Sequence, residues 1–238
     1  MPKIGPIPDN VVNYVTELAW NKLPQIAAPR LTSAMVRLID VSIDGMGKFP
    51  SAKQSATRAL TRKHDVGKAV DSVVRTHVAI AAAGGVVTNI GGIVSAIVGT
   101  PVNATGVISI QIHMVAGIAH LYGYDIDDPR VRTAVSMCLL GDRELERQIA
   151  AQELPTTPLT VATSPIHDPE LLGQVADRVL GHILAESAGK GLVTTLGRRT
   201  PIIGGGVGGV ADFLDTMVVS RCLKKNLVPR RPLVINPT

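Results

Sequence analysis

Between His77 and Tyr124 the chain carries no Asp, Glu, Lys or Arg. A run of that length and apolar content cannot be left in water, so it is buried in a protein core, in a lipid interface, or in both. Gly99-Thr100-Pro101 divides it. A proline there interrupts a helix and fits a turn or a first helical position, which makes the run two antiparallel helices joined as a hairpin. The first limb, Val78 to Val98, has about the length needed to cross a hydrocarbon layer. Ala and Gly dominate it, however, and Thr88, Asn89 and Ser95 interrupt it. It reads as a buried or interfacial hairpin, not a spanning one. Gly84, Gly85, Gly91 and Gly92 each cost a helix about 1 kcal/mol against Ala, a loss recovered only where another helix packs directly on that surface.

The rest of the composition agrees. With 45% hydrophobic but 3% aromatic residues, the core is made of Ala, Val, Ile, Leu and Gly, a set that suits closely packed helices. The fold class expected is all-α: glycine-rich helical hairpins packed as a bundle, with two pseudo-repeated halves. The second hairpin lies in the run from Gly189 to Leu227. Advancing by 100 brings Gly91 onto Gly191, Thr100 onto Thr200, Pro101 onto Pro201, Gly106 onto Gly206 and Val107 onto Val207.

Helix signals place the remaining elements. Val12, Val15, Leu18, Ala19 and Leu23 recur on one face of a first helix, and a second is expected from Pro29 to Met46, stopped by Gly45 and Gly47. Asp128 before Pro129 is cap chemistry for a helix over Arg130 to Leu140, and Gly141-Asp142 opens another through Gln152. Four prolines between Leu154 and Pro169 mark a linker or an extended crossing. The expected division is therefore 1–50 for the N-terminal helices, 51–153 for the first half, 154–169 for the linker, 170–227 for the second half, and 228–238 for an extended tail.

A net charge of +5 favours an anionic partner. Nucleic-acid modules interleave basic residues with exposed aromatics, and Trp20, Phe49, Phe213 and three tyrosines supply little of that, so no nucleic acid is expected. The most basic window, Ser51 to Lys68, holds Lys53, Arg58, Arg62, Lys63 and Lys68 against the single acid Asp65. It is either a solvated helix face or a contact with anionic lipid. Cys138 and Cys222 have no C-x-x-C spacing and read as buried free thiols. No secretory signal is visible in MPKIGPIPDN, so a cytoplasmic protein peripheral to the inner face of the cell membrane is expected.

Two blocks resemble the EcsC family of bacterial proteins: Ile118-Ala-His-Leu-Tyr-Gly-Tyr-Asp125 followed by Asp127-Asp128-Pro129 and Arg132, and the run Pro201-Ile-Ile-Gly-Gly-Gly-Val-Gly-Gly209. Their order and separation spread the likeness from about Lys48 to Leu227. The resemblance implies an all-helical, membrane-associated or cytoplasmic protein, in some bacteria encoded beside an ABC transporter and linked to secretion. It implies no known reaction.

Few residues suggest chemistry. His113 and His120 are seven apart and so share a helix face two turns apart, as candidate ligand-binding or catalytic groups. Asp212 and Asp215 sit three apart in an apolar helix, either as a catalytic or ligand-binding pair or as partners for Arg198, Arg199 or Arg221. His182 and Glu186 have the i, i+4 spacing of metal ligands, with a plain hydrogen-bonded pair as the alternative. Gly204-Gly205-Gly206 and Gly208-Gly209 lack the Lys-Ser/Thr of a phosphate loop and follow no strand, so they serve helix packing. No cofactor is expected. The reading is a non-enzymatic binding protein, its partner an anionic membrane surface, a lipid-like apolar ligand or a membrane transporter. A helical hydrolase or lyase using the aspartates and histidines is the first alternative, and a homo-oligomerisation module the second.

Overall fold

The computed structural model describes the backbone of residues 23–45, 50–82, 102–196 and 204–230, and the side chains within those ranges except 23–31, 82, 102–105, 184–196 and 204–212. In chain order the helices are α1 (Leu23–Asp44), α2 (Ala52–Lys63), α3 (Val66–Ala82), α4 (Val102–Leu121), α5 (Pro129–Met137), α6 (Gly141–Ala150), α7 (Pro158–Thr163), α8 (Leu171–Leu196) and α9 (Gly204–Asn226). No strand occurs among the described residues, and the fold is all-α as expected. The helix expected before Pro24, both hairpin turns, and the glycines at 84, 85, 91 and 92 lie outside the described residues.

The uncharged stretch supplies the centre of the bundle. α4 touches α1, α2, α3, α5 and α9. Ile112, Met114, Val115, Ala116, Ile118, Ala119 and Leu121 on α4 are each fully buried. A helix with so many sealed apolar side chains is a core helix, and each large one sealed in this way contributes about 1.5–3 kcal/mol. α2 lies close against α4 because small residues face one another there. A Cβ added at Gly117 would stand 3.6 Å from the Ala52 carbonyl oxygen and 3.7 Å from the Ala56 Cβ. Among the described residues, no helix is long and apolar enough to cross a membrane.

The basic window is two helices, not one face. Ser51 caps α2 by accepting the Gln54 N–H at 3.1 Å. His64 ends α2 in the left-handed region, φ 53°, with its N–H on the Leu60 carbonyl. Asp65 then accepts the Lys68 N–H at 2.7 Å in the first turn of α3. This corner folds α3 back along α2 and separates the charges of the window.

At the start of α5 the cap falls where the sequence places it, although α5 ends at Met137 in a 3-10 turn over Cys138–Leu140 and not at Leu140. Asp128 accepts the Arg130 N–H, and Pro129 fills the first position of α5. α1 begins earlier than expected, at Leu23, and runs through Pro29, whose missing N–H removes one internal hydrogen bond without ending the helix. Within the proline-rich run, Thr157 caps α7 and Pro158 opens it. Leu154, Val161 and Ala162 are buried there, and α7 lies against α5. Cys138 and Cys222 are buried free thiols.

Candidate functional site

A cleft of about 430 Å³ opens between the C-terminal end of α1 and helices α2, α3 and α4. Helical periodicity builds its walls. Ser55, Arg58, Ala59 and Arg62 fall on one face of α2; Val73, His77 and Ile80 on one face of α3; and Ser109, Ile110 and His113 on one face of α4. The surface is mainly apolar. Its polar lining includes the Ser42 and Ser109 hydroxyls, hydrogen-bonded to each other at 3.1 Å, Ser72, Thr76, the two arginines, and a hydrogen-bonded group of Ser55, His77 and His113.

The histidines form the organised part. The rings of His77 and His113 stack with centroids 5.1 Å apart. Nε2 of His77 lies 2.8 Å from Nδ1 of His113, and Nδ1 of His77 lies 2.7 Å from the Val73 carbonyl oxygen. Each end of the pair faces a carbonyl, Val73 at 2.7 Å and Pro50 at 3.2 Å, and the neutral pair donates to only one of them; the shorter contact assigns the proton to His77 Nδ1 and leaves a lone pair at its Nε2. His113 therefore donates from Nδ1, and in the neutral ring its Nε2 is an acceptor. That nitrogen stands 3.5 Å from Ser55 Oγ and 3.2 Å from the Pro50 carbonyl oxygen. Burial, and then the charge on His113, push His77 down to about 4. Burial also lowers His113, against the carbonyls of Pro50 and Ser51, which favour its charged form. Both rings are therefore neutral near pH 7, because the site withholds the water that would solvate a cation.

The residues singled out in the sequence separate in space. His113 is in the cleft. His120 shares its helix face, as the spacing requires, but is half-buried outside the cleft with Nε2 3.4 Å from Thr57 Oγ1. Burial and Lys53 lower its pKa. Of the basic window, Arg58 and Arg62 line the cleft. Lys53 pairs with Asp127 at 3.2 Å, and Lys63 and Lys68 are exposed beside the corner at His64. Asp215 is half-buried on α9 and is not part of the cleft wall; the side chain of Asp212 lies outside the described residues. His182 is half-buried on α8, and the side chain of Glu186 is again outside the described residues. No group of three or more His, Cys, Asp or Glu is placed to hold a metal ion among the described residues.

Sequence reading passed over His77 and Ser55. A signal for His77 was available: it is the first residue of the uncharged stretch, where a buried ring needs a polar partner and few are present. Ser55 gave none, since a serine in a basic window has no pattern of its own.

The Tyr122-Gly123-Tyr124-Asp125 block has a structural role. Tyr124 Oη donates to the Val228 carbonyl at 2.9 Å, the Arg230 N–H donates to the Tyr122 carbonyl at 2.8 Å, and the Arg230 guanidinium lies over the Tyr124 ring at 5.3 Å. Together they fasten the segment after α9 to the end of α4.

A family model described as the EcsC protein family matches residues 9–214. No curated protein and no solved structure matches the chain.

Proposed function

We propose, for this chain that belongs to the EcsC protein family, that its cleft binds the headgroup and first apolar segment of an anionic amphipathic lipid while the protein rests on a membrane surface. The observation that carries this reading is a mainly apolar cleft of about 430 Å³ with two guanidinium side chains, Arg58 and Arg62, on its wall. The volume lies in the range of about 300–1,000 Å³ that suits a small ligand. Arginine is the side chain whose planar fork meets a phosphate or carboxylate with two hydrogen bonds. Apolar surface beside fixed positive charge matches a molecule with a fatty chain and an anionic head. Lys63, next to Arg62 in sequence, and Lys68, past the corner at His64, are exposed and would add attraction to anionic headgroups, worth about 1 kcal/mol per basic residue near a charged surface.

Flotation with vesicles of phosphatidylglycerol and of phosphatidylcholine tests the surface, and native mass spectrometry of the protein with oleate tests the cleft. Binding to the anionic vesicles alone, with a 1:1 oleate complex, is expected. Arg58→Ala with Arg62→Ala weakens both by about tenfold or more. Equal behaviour toward both vesicles together with no oleate complex overturns the reading.

A further inference from the structure

We propose that Ser55, His113 and His77 form a hydrolytic relay, and that the cleft cleaves the carboxylic ester of an anionic amphipathic lipid. The proposal rests on the binding reading above for its substrate class, and on the geometry of three side chains for its chemistry.

All three line the cleft, from α2, α4 and α3 in turn. The order of hydrogen bonds has a direction fixed at its far end. Because the Val73 carbonyl accepts from His77, and His77 accepts from His113 at 2.8 Å, the free lone pair of the neutral relay is on His113 Nε2, facing Ser55 Oγ at 3.5 Å. That is the arrangement of nucleophile, base and orienting group that activates a serine, with His77 in the place more often taken by a carboxylate. The Ser55 separation is long for a hydrogen bond, as such contacts are before substrate closes on them. Burial keeps His113 neutral near pH 7, and so able to take a proton.

The Pro50 carbonyl gains a role from the same assignment. At 3.2 Å from His113 Nε2 it faces a lone pair while the ring is neutral, an arrangement with no hydrogen bond to offer. It acquires a donor only when Nε2 gains a proton. The surroundings of Nε2 are thus complementary to the imidazolium that forms during reaction, which is the direction in which a preorganised site lowers a barrier.

In the acylation step, Ser55 Oγ attacks the ester carbonyl carbon and its proton moves to His113 Nε2. The bond from that carbon to the alcohol oxygen breaks, and the proton passes from Nε2 to the departing alkoxide. Water then attacks the acyl-serine, again giving a proton to Nε2. The carboxylic acid leaves and the proton returns to Ser55 Oγ. Arg58, three residues on from Ser55 along α2, brings positive charge to the same wall, as the developing oxyanion requires. His77 touches no reacting atom and is a positioning residue.

The test uses the full chain and a fluorophosphonate with a long alkyl tail. Ser55 Oγ displaces fluoride from phosphorus, leaving a stable adduct that peptide mass spectrometry locates. Monooleoyl-glycerol phosphate is the substrate, followed by release of oleate. An adduct on Ser55 is expected, absent in Ser55→Ala, together with oleate release that falls by about 100-fold or more in His113→Ala. His77→Leu lowers the rate by at least about tenfold, and His77→Gln, which keeps an acceptor for His113 Nδ1–H, restores part of it. Denaturant melts of each variant identify any loss due to unfolding, and Ser55→Ala, which removes only a hydroxyl, provides the decisive comparison. No adduct on Ser55, or an unchanged rate in His113→Ala, overturns the relay. If oleate and anionic vesicles still bind in that case, the binding reading survives by itself. Ester cleavage that depends on Ser55, without binding to oleate or to anionic vesicles, supports the relay and overturns the binding reading.

Discussion

Arg132 and Asp44 meet in a two-pronged ion pair, with Nη2 to Oδ1 at 2.6 Å and Nη1 to Oδ2 at 3.1 Å. The pair joins the first turn of α5 to the last residue of α1. The same guanidinium also reaches Asp40 at 2.9 Å and donates from Nε to the Ile126 carbonyl at 3.0 Å. Its side chain is 15% exposed, while Asp40 and Asp44 are about half exposed. The cluster therefore lies between a surface pair, worth about 0–1 kcal/mol, and a buried one, whose breaking costs about 3–5 kcal/mol. Arg132→Ala is expected to destabilise the fold by about 2 kcal/mol, read as a lowered urea midpoint. Arg132→Lys should recover less than half of that, because an ammonium cannot serve both carboxylates and the carbonyl at once. A midpoint unchanged in Arg132→Ala would mean that the cluster adds nothing to stability.

Two glycines make opposite predictions. At Gly141, φ is +73° and ψ is 163°, a region essentially restricted to glycine, and an added Cβ would stand 2.8 Å from Val218 Cγ1. Gly141→Ala should cost about 1–3 kcal/mol for the backbone alone, plus the clash. In a Val218→Ala background only the clash is relieved. At Gly117, inside α4, an added Cβ meets nothing nearer than 3.6 Å. Gly117→Ala should be neutral or stabilise by up to about 1 kcal/mol, since alanine is the better helix former. Urea melts of the two variants check both signs.

How much of this was legible beforehand depends on the range of the interaction. The Asp128 cap with Pro129 and the helical character of α4 follow from neighbours in sequence, and the chain states them directly. The corner at His64 is local too, but its left-handed residue is not a glycine, so the usual signal was absent. The cleft was not legible. His77 and His113 are brought together by the antiparallel return of α4 along α3, and Ser55 by the corner that turns α2 into α3. Arg58 and Arg62 were visible as charge but not as the wall of a cleft, because exposure on one side and an apolar cavity on the other have the same sequence pattern.

Cys138 and Cys222 should resist thiol reagents in the folded protein. Both are fully buried, and a hydrogen bond between Cys138 and Cys222 that favours the Cys138 S–H, followed by burial, raises the Cys138 thiol. The thiolate is the reactive form, so both low access and a raised pKa slow attack. With an aromatic disulfide reagent at pH 8, the native protein should release almost no colour. The same protein in denaturing urea should release two equivalents. Rapid reaction of the folded protein would show that the α9 contact with the turn at Cys138 opens readily.

Acid should weaken the fold first through histidine. His77 falls to about 4 in the folded protein, chiefly by burial, against an ordinary value of 6.5. His113 and His120 are lowered as well. Between those values the unfolded chain binds protons that the folded chain refuses. The stability due to neutral burial is therefore complete above about pH 6.5, and it is lost as pH falls toward 4. For His77 alone the loss approaches about 3 kcal/mol. Glu144, held down to about 2 chiefly by Arg147, loses its contribution only below its ordinary value of 4.5, so the upper window belongs to the histidines. Urea midpoints measured from pH 7.5 to 4.5 should fall steadily in the native sequence, and the fall should shrink in His77→Gln, which has no ring to protonate. A midpoint that stays level over that window would mean that the His77 ring is hydrated in the folded protein.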